Sequence, residues 1–279
     1  MITRRAMMAA CAALPAFGKK KFAGKMGLEI YSLRGQAEKD LPGTLALIRK
    51  LGFEELEVGT GYGRTAKDFR RLLDDNGLKV TSMMAEYANL GKKPETVIAD
   101  AHTLGAEYVV CSTIPHKGKL TPEEIYRAVG DFSKWGETLS RADLRLCYHT
   151  HGVEFNKSSD GTLFDGLVKR TDPKLVNYEM DIFWIVYAFQ DPVKMLERYP
   201  GRFPLMHVKD MSKSTVKGGL PADVREEESV PIGQGAVDIP AVLRAAQKTG
   251  VKHYYIEDEA VNAAEQIPVS LRYLEKLEI

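Results

Sequence analysis

The sequence predicts an α/β fold: a parallel (β/α)₈ TIM barrel closed by eight strands. Three observations carry the prediction. From Gly27 onward, short β-branched or apolar runs alternate about eight times with longer segments of helical period. The chain has 279 residues, and such barrels typically run to about 250. No Pro/Ser/Gly-rich linker and no shift of composition divides it. An open doubly wound sheet is the second choice, but no Gly-x-Gly-x-x-Gly follows the first strand.

Taken in order, the strands are expected at 27–31, 54–58, 78–83, 107–111, 144–149, 175–180, 203–208 and 253–257. Helices are expected near 40–51, 65–76, 94–104, 122–141, 161–170, 191–198, 238–249 and 262–277. Several open with a start signal. Thr121-Pro122-Glu123-Glu124 places a capping hydroxyl before a first-turn proline, with acids complementing the helix dipole. Asp191-Pro192 and Asp238 follow the same logic. Several close on a glycine just ahead of the next strand, as at Gly52, Gly77, Gly105 and Gly250. Residues 211–236 form the longest stretch without periodicity. A loop of that length in a compact domain is usually functional or disordered, and after strand seven it would overhang the catalytic face of a barrel.

Composition narrows the class. Hydrophobic residues make up 44% and charged residues 28%, ordinary for a soluble globular protein. Lys plus Arg is 39 and Asp plus Glu is 38, so no global field favours nucleic acid or an anionic membrane. Three cysteines cannot build a disulfide scaffold. Cys111 and Cys147 sit in strand-like apolar runs and read as buried and unpaired. The N-terminus differs from the rest. Arg4-Arg5 precedes an apolar run ending at Phe17, and Ala16-Phe17-Gly18 offers small residues for cleavage. This pattern reads as a twin-arginine-like export signal over 1–18, too short to span a membrane. The expected organisation is therefore a signal followed by one barrel domain over 19–279, with export to the periplasm expected from that address alone. Removing 1–18 takes away Arg4, Arg5 and Cys11 but no acid, leaving 37 basic against 38 acidic residues.

Polar residues gather where the last four strands end. Strand five ends Tyr148-His149-Thr150-His151, strand six Glu179-Met180-Asp181, strand seven His207-Val208-Lys209-Asp210 and strand eight Ile256-Glu257-Asp258-Glu259. Barrel interiors are packed with branched apolar side chains, so acids and imidazoles there need a reason. Period-two alternation puts His149 with His151, Glu179 with Asp181, and His207 with Lys209 on shared faces. One residue from each strand can then converge above the barrel: His149, Asp181, His207 and Glu257. Two imidazoles and two carboxylates suit one divalent ion such as Mn²⁺, Zn²⁺, Co²⁺ or Fe²⁺. Each residue also has a plain structural reading: the histidines as hydrogen-bonded core groups, Asp181 as a helix cap, and 257–259 as a solvated acidic edge. Tyr148, Tyr178 and Tyr255 read as packing, and His102, His116 and His253 as surface or structural.

With these residues in view, the sequence resembles the xylose-isomerase-like barrel superfamily, the sugar phosphate isomerase/epimerase group, over essentially its whole mature length. The resemblance opens at Leu28-Glu29-Ile30-Tyr31-Ser32-Leu33-Arg34 and continues through Gly52-Phe53-Glu54-Glu55-Leu56-Glu57. It is carried most strongly by Tyr148-His149-Thr150-His151-Gly152-Val153-Glu154-Phe155, Asp181-Ile182-Phe183-Trp184, His207-Val208-Lys209-Asp210 and Gly233-Gln234-Gly235. The family's metal set is Glu, Asp, His, Glu. Asp181, His207 and Glu257 match three of these, while His149 stands where a Glu is expected and Glu154 is the alternative fourth ligand. The resemblance further implies His151 as a proton-transfer group and Glu154 as a contact to substrate hydroxyls. Glu179, Tyr31, Arg34 and Trp184 complete the substrate-contact candidates.

The chemistry expected is proton transfer next to a sugar carbonyl, with an enediolate stabilised by the ion. His151 suits a base because imidazole titrates near neutrality. Glu257 or Glu179 would be the second proton carrier, and Lys209 an oxyanion donor. Return of the proton gives isomerisation or epimerisation, the first reading. Loss of a β substituent gives elimination, as in relatives acting on 3-keto-glycosides, and an exported enzyme would meet such sugars. No Gly-rich phosphate cradle is present; Lys213 and Lys217 are weak anion candidates. A DNA-cleaving branch of the superfamily is disfavoured by the near-neutral charge and the export signal, and a non-catalytic sugar-binding barrel is the remaining alternative. The partner expected is a small sugar or keto-sugar, with no nucleic acid and no membrane span. Aromatics from Phe183 to Phe189 would serve a homo-oligomer contact or line the pocket.

Overall fold

The computed structural model describes residues 21–22, 24–59, 61–219 and 224–279. The expected export signal lies outside the described residues. Eight parallel strands close a barrel: β1 (Met26–Glu29), β2 (Glu55–Val58), β3 (Lys79–Ala85), β4 (Tyr108–Cys111), β5 (Arg145–His149), β6 (Val176–Asp181), β7 (Leu205–Val208) and β8 (His253–Ile256). Around the ring each strand pairs with its sequence neighbours, and β1 pairs with β8. The eight expected strands and eight expected helices all appear, with ends displaced by two residues at most.

The start signals act as read. Thr121 and Glu124 form a reciprocal capping box at the head of Pro122–Ser140. The Asp191 and Asp238 side chains accept backbone N–H groups of Lys194 and Ala241, each with a proline in the first turn. Among the described residues, six short helical turns escaped the periodicity: Ile30–Leu33, Arg34–Ala37, Tyr87–Lys92, Val153–Phe155, Ile182–Tyr187 and Glu226–Glu228. The long loop after β7 is not free of structure. Its ends pair as Asp210–Met211 against Ser229–Val230, and Asp210 accepts the N–H groups of Met211, Gly233, Gly235 and Val237 at 2.8–3.1 Å.

Strand parity sorts the interior. Tyr108 and Val110, Cys147, Leu205 and Tyr255 form a small apolar cluster of their own, apart from the outer core between sheet and helices. Two residues further on, the same faces carry His149, His207 and Glu257, at the carboxyl ends of the strands. Two residues earlier, His253 meets Glu55 at 2.6 Å, and Thr81 bonds both Glu55 and Tyr255. The barrel is thus polar at its amino end, apolar in its middle and acidic at its carboxyl end. Cys111 and Cys147 are buried and unpaired. Among the described residues, no helix is long and apolar enough to cross a membrane.

Candidate active site

Register brings the polar groups together. His149 lies opposite Glu179, Asp181 opposite His207, and Glu29 opposite Glu57. Asp181 ends β6 and serves two purposes. Its Oδ1 accepts the N–H groups of Phe183 and Trp184 at 2.8 and 3.2 Å, capping Ile182–Tyr187. Its Oδ2 is buried without a hydrogen-bond partner. That oxygen lies 3.9 Å from both His149 Nε2 and His207 Nδ1, and 3.8 Å from Lys209 Nζ. Glu257 Oε2 is 3.0 Å from His207 Nδ1 and 3.2 Å from Lys209 Nζ.

The four residues expected to ligate an ion are therefore side by side. Asp181, His207 and Glu257 offer ligand atoms within 4.8 Å of one another, and so do His149, Glu179 and His207. An unpaired carboxylate oxygen in a buried site is costly, and Asp181 Oδ2 with two imidazole nitrogens and Glu257 is a donor set that a borderline divalent ion satisfies. Glu154 is turned elsewhere. It is fully buried, bonded to the Tyr148 hydroxyl and to the His151 N–H. It shapes the loop after β5 rather than facing the cluster.

Electrostatics follow from burial. Burial pushes Asp181 up to about 7 and Glu179 well above the usual carboxylate range, with Glu57 adding to it. Burial also holds His149 well below its ordinary value and His151 down to about 4, so both rings are neutral at pH 7. Burial opposes the charge on His207, but the carboxylates of Glu179, Glu257 and Glu57 outweigh it and raise the group. Burial would likewise raise Glu257, yet Lys209 and His207 hold it well below the usual range. Against burial, Glu257, Glu259 and Asp181 raise Lys209. Its amine therefore remains an ammonium, boxed by Phe183 and Trp184 at 5.1 and 5.4 Å from the ring centroids.

A cavity of about 640 Å³ opens over this cluster, with His149, His151, Glu257, Glu259, Glu29 and Tyr31 in its wall. The His151 ring stands 4.5 Å from that of His149 and 6.0 Å from that of Trp184. Arg34 sits at the rim instead, stacked 4.6 Å over Tyr31, paired with Glu226 at 2.9 Å and bonded to the Glu259 carbonyl. Glu179 lies beneath His149, 2.9 Å from Nδ1. Lys213 and Lys217 are not in the cavity wall. The other histidines are tied to backbone or acid: His102 to the Ala142 carbonyl, His116 to that of Ile114, and His253 to Glu55.

Sequence reasoning missed Glu29, Glu57 and Ser82. Glu57 Oε1 lies 2.6 Å from His207 Nε2, and the Ser82 hydroxyl bonds its other oxygen. Glu29 ends β1, Glu57 is the last residue but one of β2, and the two occupy neighbouring places in the barrel register.

Comparison with known proteins agrees with this architecture. The chain is 25% identical over 245 residues to an inosose dehydratase of Lacticaseibacillus casei, covering 78% of this chain and 81% of the relative. It is 26% identical over 211 residues to inosose dehydratase 2 of Bacillus cereus, covering 68% and 69%. Among solved structures, a sugar phosphate isomerase/epimerase from Parabacteroides distasonis superposes with a TM-score of 0.74 at 27% identity, covering 96% and 98%. The dehydratases among the relatives favour the elimination reading over the isomerisation placed first from the sequence. The model of the family described as xylose isomerase-like TIM barrel matches residues 45–277, and the chain belongs to that family.

Proposed function

We propose that the protein is a metal-dependent carbon–oxygen lyase that eliminates a β-oxygen substituent from a small keto-polyol, a keto-sugar or keto-cyclitol. The observation that carries this is the unpartnered Asp181 Oδ2, buried between two imidazoles and Glu257 under an open cavity. The dehydratase relatives support the direction of the chemistry. The N-terminal Arg pair supports an exported location.

A divalent ion held by His149, Asp181, His207 and Glu257 would polarise a substrate carbonyl and stabilise the enolate charge that follows proton loss. The protein's own groups supply the rest. His151, neutral and in the cavity wall, accepts the proton from the carbon next to the carbonyl. The C–H electron pair becomes the enolate π bond. As the carbonyl re-forms, that pair shifts to make the carbon–carbon double bond, and the C–O bond to the β substituent breaks. The imidazolium of His151 returns its proton to the departing oxygen. Lys209, fixed as a cation, donates to developing oxyanion charge. Trp184 and Phe183 keep that ammonium from bulk water.

The test is incubation of purified protein with inosose and with a 3-keto-glucoside, following enone absorbance and loss of the substituent. Wild-type protein with Mn²⁺ or Co²⁺ is expected to release water or the aglycone. His151→Ala is expected to lose about 10²–10⁴-fold of that rate. A product that keeps every oxygen and gains solvent deuterium would establish isomerisation, which the likeness to the sugar phosphate isomerase/epimerase supports as second reading. Turnover unaffected by chelator would overturn the metal assignment.

A further inference from the structure

Both candidate histidine ligands are gripped from below by a carboxylate. His207 Nε2 lies 2.6 Å from Glu57 Oε1, while its Nδ1 faces Glu257 at 3.0 Å and Asp181 at 3.9 Å. His149 repeats the arrangement: Nδ1 lies 2.9 Å from Glu179, and Nε2 faces Asp181 at 3.9 Å. Each ring therefore has one nitrogen on a carboxylate inside the barrel and the other on the side of the orphaned Asp181 oxygen. Glu57 itself is held. Ser82, its register neighbour on β3, donates to the oxygen that His207 does not use. Glu57 and His207 are both fully buried, so neither has water as an alternative partner.

We propose that Glu57 is a positioning residue for the metal centre: by accepting Nε2–H, it fixes the His207 tautomer that leaves Nδ1 to the ion, with Glu179 doing the same for the opposite nitrogen of His149. The proposal rests on the metal reading above. A ligating imidazole must be deprotonated on the nitrogen that meets the ion, and a carboxylate on the other nitrogen selects that state and makes the ligand more basic. The two rings then ligate through different atoms, Nδ1 in one and Nε2 in the other. This follows from geometry: β7 places His207 between Glu57 and Glu257, whereas β5 places His149 beside Glu179 in register. Glu57 touches neither the cavity nor the substrate, so its effect reaches the chemistry only through the imidazole.

The experiment is calorimetric titration of Co²⁺ into metal-free wild-type, Glu57→Ala, Glu57→Gln, Ser82→Ala and Asp181→Asn proteins. Circular dichroism confirms that each is folded. Loss of a carboxylate behind a ligating histidine typically costs about 10–100-fold in metal affinity. Glu57→Ala is expected in that range, with Glu57→Gln and Ser82→Ala smaller, because they keep an acceptor or the charge. If the Glu57 variants do not fold, Ser82→Ala decides alone. Proton NMR of the Co²⁺ protein gives a readout that a packing role would not move. Two shifted, slowly exchanging imidazole N–H signals are expected in wild type, and Glu57→Ala should lose one of them. Wild-type affinity in the folded variants with both signals intact would overturn the proposal and leave the metal reading standing. Failure of wild type to bind Co²⁺ would overturn both. Retained affinity in Asp181→Asn, with binding abolished in Glu57→Gln, would place the ion on the Nε2 side and also overturn the assignment.

Discussion

At the scale of single residues, Asp181 shows how one side chain can be read two ways and be both. Its Oδ1 caps a helix while its Oδ2 faces the cluster. Asparagine keeps the first function and removes the second. Asp181→Asn should therefore retain a folding stability within about 1 kcal/mol of wild type, whereas Asp181→Ala should lose about 1 kcal/mol from the missing cap. Both should lose divalent-ion binding. Urea denaturation of metal-free protein beside ion titration checks the split; an Asparagine variant that binds the ion normally would remove Asp181 from the ligand set. The cysteines give a second prediction. Burial pushes Cys111 up to about 12 and Cys147 well above its ordinary value. The thiolate is the reactive form, so a chromogenic disulfide reagent at pH 8 should modify neither in the folded protein and both after guanidinium unfolding. Labelling in the native state, located by mass spectrometry, would contradict the burial. The site residues on the last four strands were legible because imidazoles and acids stand out in apolar runs. Glu57 was not, because Glu54-Glu55-Leu56-Glu57 looks like a solvated edge. Alternation turns both Glu55 and Glu57 inward, one to His253 at the amino end and one to His207 below the site.

At the scale of elements, the helices with hydrophilic outer faces were readable and the short ones were not. Ile182–Tyr187 is apolar almost throughout and buried, so no period of 3.6 can show. The motif Gly233-Gln234-Gly235 matched a family pattern without a reason; the structure supplies one. A side chain on Gly235 would place its Cβ 2.2 Å from Asp210 Oδ1 and 2.3 Å from the Met211 carbonyl. The loop must approach closely for Asp210 to collect four backbone N–H groups. Gly235→Ala should destabilise by about 1–3 kcal/mol through that overlap. Asp210→Ala should cost about 3 kcal/mol or more, because several buried donors lose their acceptor. Denaturant midpoints measure both, and values within 0.5 kcal/mol of wild type, roughly the scatter of neutral surface changes, would refute the anchor. The amino end of the barrel supplies a pH test. Burial would raise Glu55, but the bonds from His253 and Thr81 prevail and lower it. A lowered carboxylate adds stability above its unfolded value, and that stability is lost as pH falls through the folded one. Glu55→Gln should then weaken the fold by about 1–2 kcal/mol at pH 7, and the gap to wild type should narrow toward pH 3. A gap that widens on acidification would reverse the assignment.

At the scale of the whole molecule, the barrel buries more carboxyl groups at its carboxyl end than it has cations to pair with them. Glu29, Glu57, Glu179, Asp181 and Glu257 are buried there with Lys209 and His207. Burial, aided by Glu57, keeps Glu29 well above the usual carboxylate range, and its Oε2 has no partner. Protonation of the raised carboxyls lowers the cost of burying them, and Glu29 and Glu257 line the cavity, where a ligand can reach them. A divalent ion that binds only the folded state stabilises it by about 2.7 kcal/mol at a hundred times its dissociation constant. For a chain somewhat longer than 250 residues, each kcal/mol moves the midpoint by roughly 2 °C. Saturating Co²⁺ or Mn²⁺ should therefore raise the melting temperature of metal-free protein by about 5 °C, and chelator should reverse it. Mg²⁺ should do less, because hard oxygen-preferring ions gain little from two imidazoles. The gain should vanish in Asp181→Asn, which removes the orphaned oxygen while keeping the cap. A melting curve indifferent to ion and chelator in wild type would mean that the cluster neutralises itself by protonation, as the raised Glu29 and Glu179 permit, and that the carboxyl end of this barrel is not a metal centre.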